Sequence, residues 1–149
     1  MTSPDVAHPD VTGAGADPPL YTGTGTHGTV MSERAATVLV VGCGSIGTRH
    51  VENLREFSGV EVVVHDQRPS RALSLSDRYG VDAEESLDAA FEREPDAVLV
   101  CTPPDSHLEI GRRAVSVSAA VFVEKPLSHT LDGVGEFAEL VEERDATVM

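Results

Sequence analysis

From Thr37 onward the apolar residues fall into two alternating patterns. "TVLVV" is an unbroken apolar run rich in β-branched residues, which predicts a strand buried on both faces. Beyond a glycine-rich turn, "SIGTRHVENLREF" places Ile46, His50, Val51, Leu54 and Phe57 at helical spacing. "VEVVVHD" repeats the strand pattern, "SRALSLSDRYG" reads as a helix closed by Gly80, and "SLDAAFERE" as a helix that stops before Pro95. "DAVLVC" is a third apolar strand, a helix is predicted over 106–117, and "AVFVE" is a fourth strand. "TLDGVGEFAELVEERD" forms a last helix weakened by Gly133 and Gly135, and "ATVM" begins one more strand. Strands alternating with helices predict βαβ units, hence an α/β fold with a doubly wound parallel sheet. In such a sheet ligands bind at the carboxyl ends of the strands, beside the switch point.

The first thirty residues follow neither period. They are rich in Gly, Pro, Thr and Asp and contain no Lys or Arg, so they bury too little apolar surface to offset the entropy of ordering. Residues 1–34 are expected to be a disordered tail, or the product of a start codon assigned upstream of a true start at Met31. Residues 35–149 then form one domain, and the chain length of 149 suits that count.

Composition narrows the function. The net charge of −14 repels nucleic acid and anionic lipid, so neither is an expected partner. Acidic excess with scarce lysine suits a salt-rich, halophilic cytoplasm, and arginine-for-lysine bias also follows from high GC content. The apolar runs are far shorter than the ~20 residues of a membrane helix. No secretion signal is visible, which makes the cytoplasm the expected location. Cys43 and Cys101 stand far apart with no Cys/His cluster, so neither a disulfide framework nor a zinc site is indicated.

The strand ends carry the chemistry. In "VVGCGSIGTRH", Gly42, Gly44 and Gly47 match G-x-G-x-x-G after a buried strand and at the start of a helix, with Ser45 and Ile46 between them. Gly42 permits a tight turn, Gly44 lets a pyrophosphate approach the backbone, and Gly47 lets the helix pack closely on the sheet. A hydrolase elbow is excluded, because Cys43 stands where G-x-S-x-G needs glycine. A G-x-G-x-G methyl-donor loop is excluded by Ile46. Asp66 ends the second strand, where a carboxylate accepts a ribose diol and repels a 2′-phosphate, favouring NAD over NADP. Gln67 and Arg68 follow; Arg68 either stacks on adenine or partly restores NADP binding. These features define a Rossmann-type dinucleotide site.

The third strand ends in "CTPPDSH", where Thr102 and Pro103-Pro104 hold the chain open beside the cofactor. His107 either reaches the pocket or serves as a capping or packing residue in the first helical turn. Arg49 and His50 read as helix-packing or salt-bridge residues rather than catalytic ones. The fourth strand ends in "VEKPLS", and Lys125 there is the only lysine in the chain, against ten arginines. A lysine can exchange its proton near neutral pH in a partly dry pocket, whereas arginine stays charged. Four strand ends are thus expected to converge on one pocket, which favours a chemical role for Lys125 over chance.

Together, "GCGSIGTRH", "CTPPDSH" and "EKPLS" resemble the Gfo/Idh/MocA oxidoreductases, the family of glucose–fructose oxidoreductase and inositol dehydrogenase, over residues 37–149. The "GSIGTRH" form followed by "ENL" looks most like members acting on sugars or nucleotide-sugars. The resemblance implies an NAD(P)-dependent oxidoreductase moving hydride between nicotinamide and a sugar or polyol. It implies that Lys125 faces nicotinamide and substrate and assists proton transfer, that Glu124 and Pro126 shape the turn, and that the Lys125–Pro126 bond is cis. Family members exceed 300 residues and draw most substrate contacts, and a catalytic Asp/His pair, from a second domain. The expected assignment is therefore the cofactor half of such an enzyme, nearly inactive alone: a fragment, a truncated gene product or one part of a split enzyme, with a partner chain or a homo-oligomer among the partners to be considered. The competing readings are a non-enzymatic dinucleotide-binding module and a decayed product.

Overall fold

The computed structural model describes residues 34–149; the expectations placed on residues 1–33 lie outside them. Five strands form one parallel sheet: β1 (Ala36–Val41), β2 (Val60–His65), β3 (Asp82–Ala83), β4 (Ala97–Val100) and β5 (Ala120–Val123), in the order β3-β2-β1-β4-β5. The helices between and after them are α1 (Ser45–Leu54), α2 (Pro69–Tyr79), α3 (Leu87–Glu92), α4 (His107–Ser116) and α5 (Val134–Glu143). The doubly wound α/β sheet expected from the alternating pattern is the observed fold.

The unbroken apolar strands are explained by burial on both faces. Leu39 and Val41 of β1 point to one side, where Val98, Val100, Phe91, Ile110, Val115 and Phe137 bring in α3, α4 and α5. Val40, between them, points to the other, with Val51, Val62, Val64, Ala72 and Leu75 of α1, β2 and α2. Leu39, Val40, Val63, Val64 and Val98 are fully buried, and each such side chain contributes about 1.5–3 kcal/mol to stability.

Three details depart from the periodicity. The first helix stops at Leu54 rather than reaching Phe57, whose side chain is 63% exposed. Its last carbonyls close tight turns to Glu56 and Phe57, and Gly59 at φ 81° swings the chain into β2. The last helix begins at Val134 rather than Thr130, because Gly133 adopts a left-handed φ of 77° just before it. The two-residue β3 is polar and too short to show any period. The final residues behave as the start of another strand: the Val121 N–H donates to the Thr147 carbonyl and the Val123 N–H to that of Met149, both at 2.9 Å, extending the sheet beyond β5.

Candidate functional site

The order β3-β2-β1-β4-β5 reverses direction between β1 and β4, and a cleft of about 390 Å³ opens at that edge. Its walls come from three strand ends: Gly42 and Gly44 after β1, Asp66 to Arg68 with Arg71 after β2, and Cys101 to Pro103 with Asp105 and Ser106 after β4.

The glycines have distinct physical roles. Gly42 sits at φ 99°, and a Cβ there would lie 2.6 Å from the backbone carbonyl of Cys101. A Cβ at Gly47 would lie 1.9 Å from the Gly42 oxygen, so α1 can start against this loop only without a side chain. A Cβ at Gly44 would meet nothing within 4 Å. That open space faces the cleft, directly before α1, whose first N–H groups, at Ser45, Ile46 and Gly47, have no partner within the helix. Unpaired amides, the positive end of a helix and free volume are what a diphosphate requires.

Asp66 is only 8% exposed. Its Oδ2 accepts the Cys43 N–H at 2.8 Å and its Oδ1 the Arg68 N–H at 2.8 Å, while Arg71 Nη1 approaches to 3.9 Å. Each oxygen keeps a further lone pair for a ribose diol. The glycine loop and the Asp66 carboxylate are thereby one hydrogen-bonded unit. The cleft fits a dinucleotide on these grounds. Gln67 and Arg68 lie on its wall as expected; Arg71, which the sequence reading missed, joins them because it sits in the first turn of α2. Its signal was a second arginine three residues beyond Arg68.

The β4 loop is held by Ser106, whose hydroxyl donates to Thr102 Oγ1 at 2.8 Å. His107 is not a cleft residue: it is 1% exposed, begins α4, and bonds through both ring nitrogens to the Thr102 and Pro126 carbonyls. Burial pushes both thiols up to about 12, helped by the negative charge of Asp66 at Cys43 and of Glu124 at Cys101. They are inert at neutral pH.

The expected convergence of four strand ends is realised by three. Because β4 stands between β1 and β5, Glu124, Lys125 and Pro126 flank the cleft instead of lining it. Lys125 is exposed, and the bond to Pro126 is cis. Ile46 is 45% exposed at the mouth of α1. His50 Nε2 donates to Glu124 Oε1 at 2.8 Å, tying α1 to the β5 end and holding the Glu124 carboxyl below its usual range. Among the described residues no group of His, Cys, Asp and Glu is arranged to hold a metal, and no helix is long and apolar enough to cross a membrane.

A parallel sheet with this glycine loop and carboxylate defines an NAD-binding Rossmann domain. The chain belongs to the Gfo/Idh/MocA oxidoreductases: the model of that family's NAD-binding Rossmann fold matches residues 36–149. It is 36% identical over 105 residues to an inositol 2-dehydrogenase of Burkholderia vietnamiensis, covering 67% of this chain and 31% of that one. Its structure resembles that of GenD2 from gentamicin A biosynthesis in complex with NAD, with a TM-score of 0.71, 29% identity, and coverage of 90% and 36% of the two chains. It also resembles KijD10, a 3-ketoreductase from Actinomadura kijaniata in complex with NADP and TDP-benzene, with a TM-score of 0.68, 30% identity, and coverage of 76% and 36%. The chain thus spans about a third of the length of the relatives it matches.

Proposed function

We propose that residues 35–149 are the cofactor half of an NAD-dependent oxidoreductase that moves hydride between nicotinamide and a hydroxyl or carbonyl of a sugar, polyol or nucleotide-sugar. The observation that carries this reading is the Asp66–Cys43 bond, which joins a diphosphate-binding loop to a ribose-binding carboxylate. Gly44 and the α1 N-terminus take the diphosphate, Asp66 the adenosine ribose, and Thr102 and Pro103 the wall toward the nicotinamide. The cofactor supplies the hydride chemistry. Lys125, at the neighbouring strand end, is the group that hydrogen-bonds the reacting oxygen and exchanges its proton.

The inositol dehydrogenation named for one relative and the 3-ketoreductase activity named for another support this substrate class. Hydride transfer needs the substrate carbon within ~3–3.5 Å of the nicotinamide. The 390 Å³ cleft is open, so residues 35–149 by themselves are expected to bind cofactor with little or no turnover, the substrate wall coming from outside them. The acidic, salt-adapted surface suits a cytoplasmic protein.

Calorimetry at high KCl with NAD⁺, NADH and NADP⁺ tests the proposal on the wild type and Asp66→Ala. Saturable NAD(H) binding, tighter than NADP⁺ and weakened by the substitution, is expected. A folded wild type that binds none of the three refutes the cofactor reading.

A further inference from the structure

Among the described residues, His107 is the buried ring that joins the two loops. Its Nε2 lies 2.6 Å from the Thr102 carbonyl oxygen, on the cleft wall, and its Nδ1 lies 2.9 Å from the Pro126 carbonyl oxygen, one residue beyond Lys125. Both partners are backbone carbonyls, which only accept. A neutral imidazole carries one N–H and presents a lone pair from its other nitrogen; only the imidazolium donates from both. At 1% exposure water cannot intervene. A lone pair held at either distance against a carbonyl oxygen would be repulsive.

We infer that His107 is held as an imidazolium and acts as a positioning residue, its two donated bonds setting the Lys125–Pro126 loop against the Thr102 wall of the cleft. This rests on the cofactor reading for its functional consequence and on geometry alone for the protonation state. The positive end of α4, where His107 is the first helical residue, opposes the charge. The two carbonyl dipoles face the ring and counter that opposition, while Asp105 just before the helix and Glu109 in its first turn are exposed acidic residues of the same helix end. At the β5 end stand Glu124 and Lys125; Glu124 is taken by His50, and neither is hydrogen-bonded to the His107 ring. Without His107 the α4 start would hold Thr102, through Ser106, but not the loop that carries Lys125.

The test is long-range ¹⁵N–¹H correlation of the histidine rings in the labelled full chain, with His107 assigned through its backbone and by its loss in His107→Gln. Two protonated ring nitrogens at neutral pH are expected; one protonated and one bare nitrogen overturns the inference, whether or not the variant folds. NADH affinity at neutral pH supplies the functional arm. In His107→Gln, whose amide nitrogen reaches only one carbonyl, it should fall on the order of tenfold, the effect of one charge-assisted hydrogen bond. Unchanged affinity in the folded variant would overturn the positioning role. Absence of NADH binding by the folded wild type removes that role with the cofactor reading, and the ring signals still decide the protonation state.

Discussion

The Asp66 carboxylate accepts the Cys43 N–H at 2.8 Å across 23 residues of chain, so the end of β2 sets the shape of the turn after β1. Asp66 therefore acts before any ligand arrives. In Asp66→Asn the amide NH₂ faces the N–H of Cys43 or of Arg68, leaving a buried donor unpaired. Unfolding by urea should show a loss of about 1–3 kcal/mol, accompanied by weaker NADH binding. Unchanged stability would mean that the loop holds its shape without this bond.

Gly44 and Gly47 separate binding from folding. Gly44→Ala places its methyl in open space at an ordinary φ of −76°, so the melting temperature should stay close to that of the wild type. The same methyl occupies the volume needed by the diphosphate, and NADH affinity should fall at least tenfold. Gly47→Ala drives a methyl into the Gly42 carbonyl at 1.9 Å and should cost about 3 kcal/mol or more, or prevent folding. Circular dichroism melts with fluorescence titration of NADH distinguish the two; loss of folding in Gly44→Ala would contradict this division.

The His50–Glu124 pair makes a pH prediction with a definite sign. Hydrogen bonding from His50 lowers the Glu124 carboxyl from its ordinary 4.5. A depressed folded value stabilises above the unfolded one, and that contribution is lost as pH falls through the folded value. Glu124→Gln should therefore be less stable than wild type at neutral pH by about 0.5 kcal/mol, a modest figure for a part-exposed pair. The gap should close in acid, below the folded value. Urea midpoints of both proteins from neutral to acid pH check this; a gap that widens in acid contradicts it.

Arg93 holds three carboxylates at the sheet edge: Glu61 at 3.0 Å, Asp82 at 2.7 Å and Glu84 at 2.8 Å. Removing it leaves like charges from β2, β3 and the following loop side by side in an already acidic protein. Arg93→Ala should cost about 1 kcal/mol in dilute buffer, more than an isolated surface pair because the charges form a network. The loss should shrink in molar KCl, where screening acts within ~3 Å. Thermal melts across a KCl series read this out, and a loss independent of salt would point to packing of the arginine stem instead.

Much of this protein is decided locally. The apolar runs of β1, β2, β4 and β5 meet helices on both faces whatever the details, so alternation of strand and helix was enough to specify a parallel sheet. Gly42, Gly44 and Gly47 are equally legible, because the steric demand of a turn and a diphosphate falls on residues a few positions apart. Asp66 is legible because the end of a strand next to β1 is a place, not merely a residue type. Tertiary structure alone decided the rest. Which strands border the cleft depends on sheet order, and β4 lying between β1 and β5 set Lys125 beside the cleft rather than on its wall. His107 looked the same in sequence as a pocket ligand or a cap; only the meeting of two distant loops at its two nitrogens distinguished them. Arg71 and the Arg93 cluster escaped notice for the same reason. Periodicity reports which side of an element is buried, while long-range pairing depends on how elements are stacked, and no local pattern carries that information.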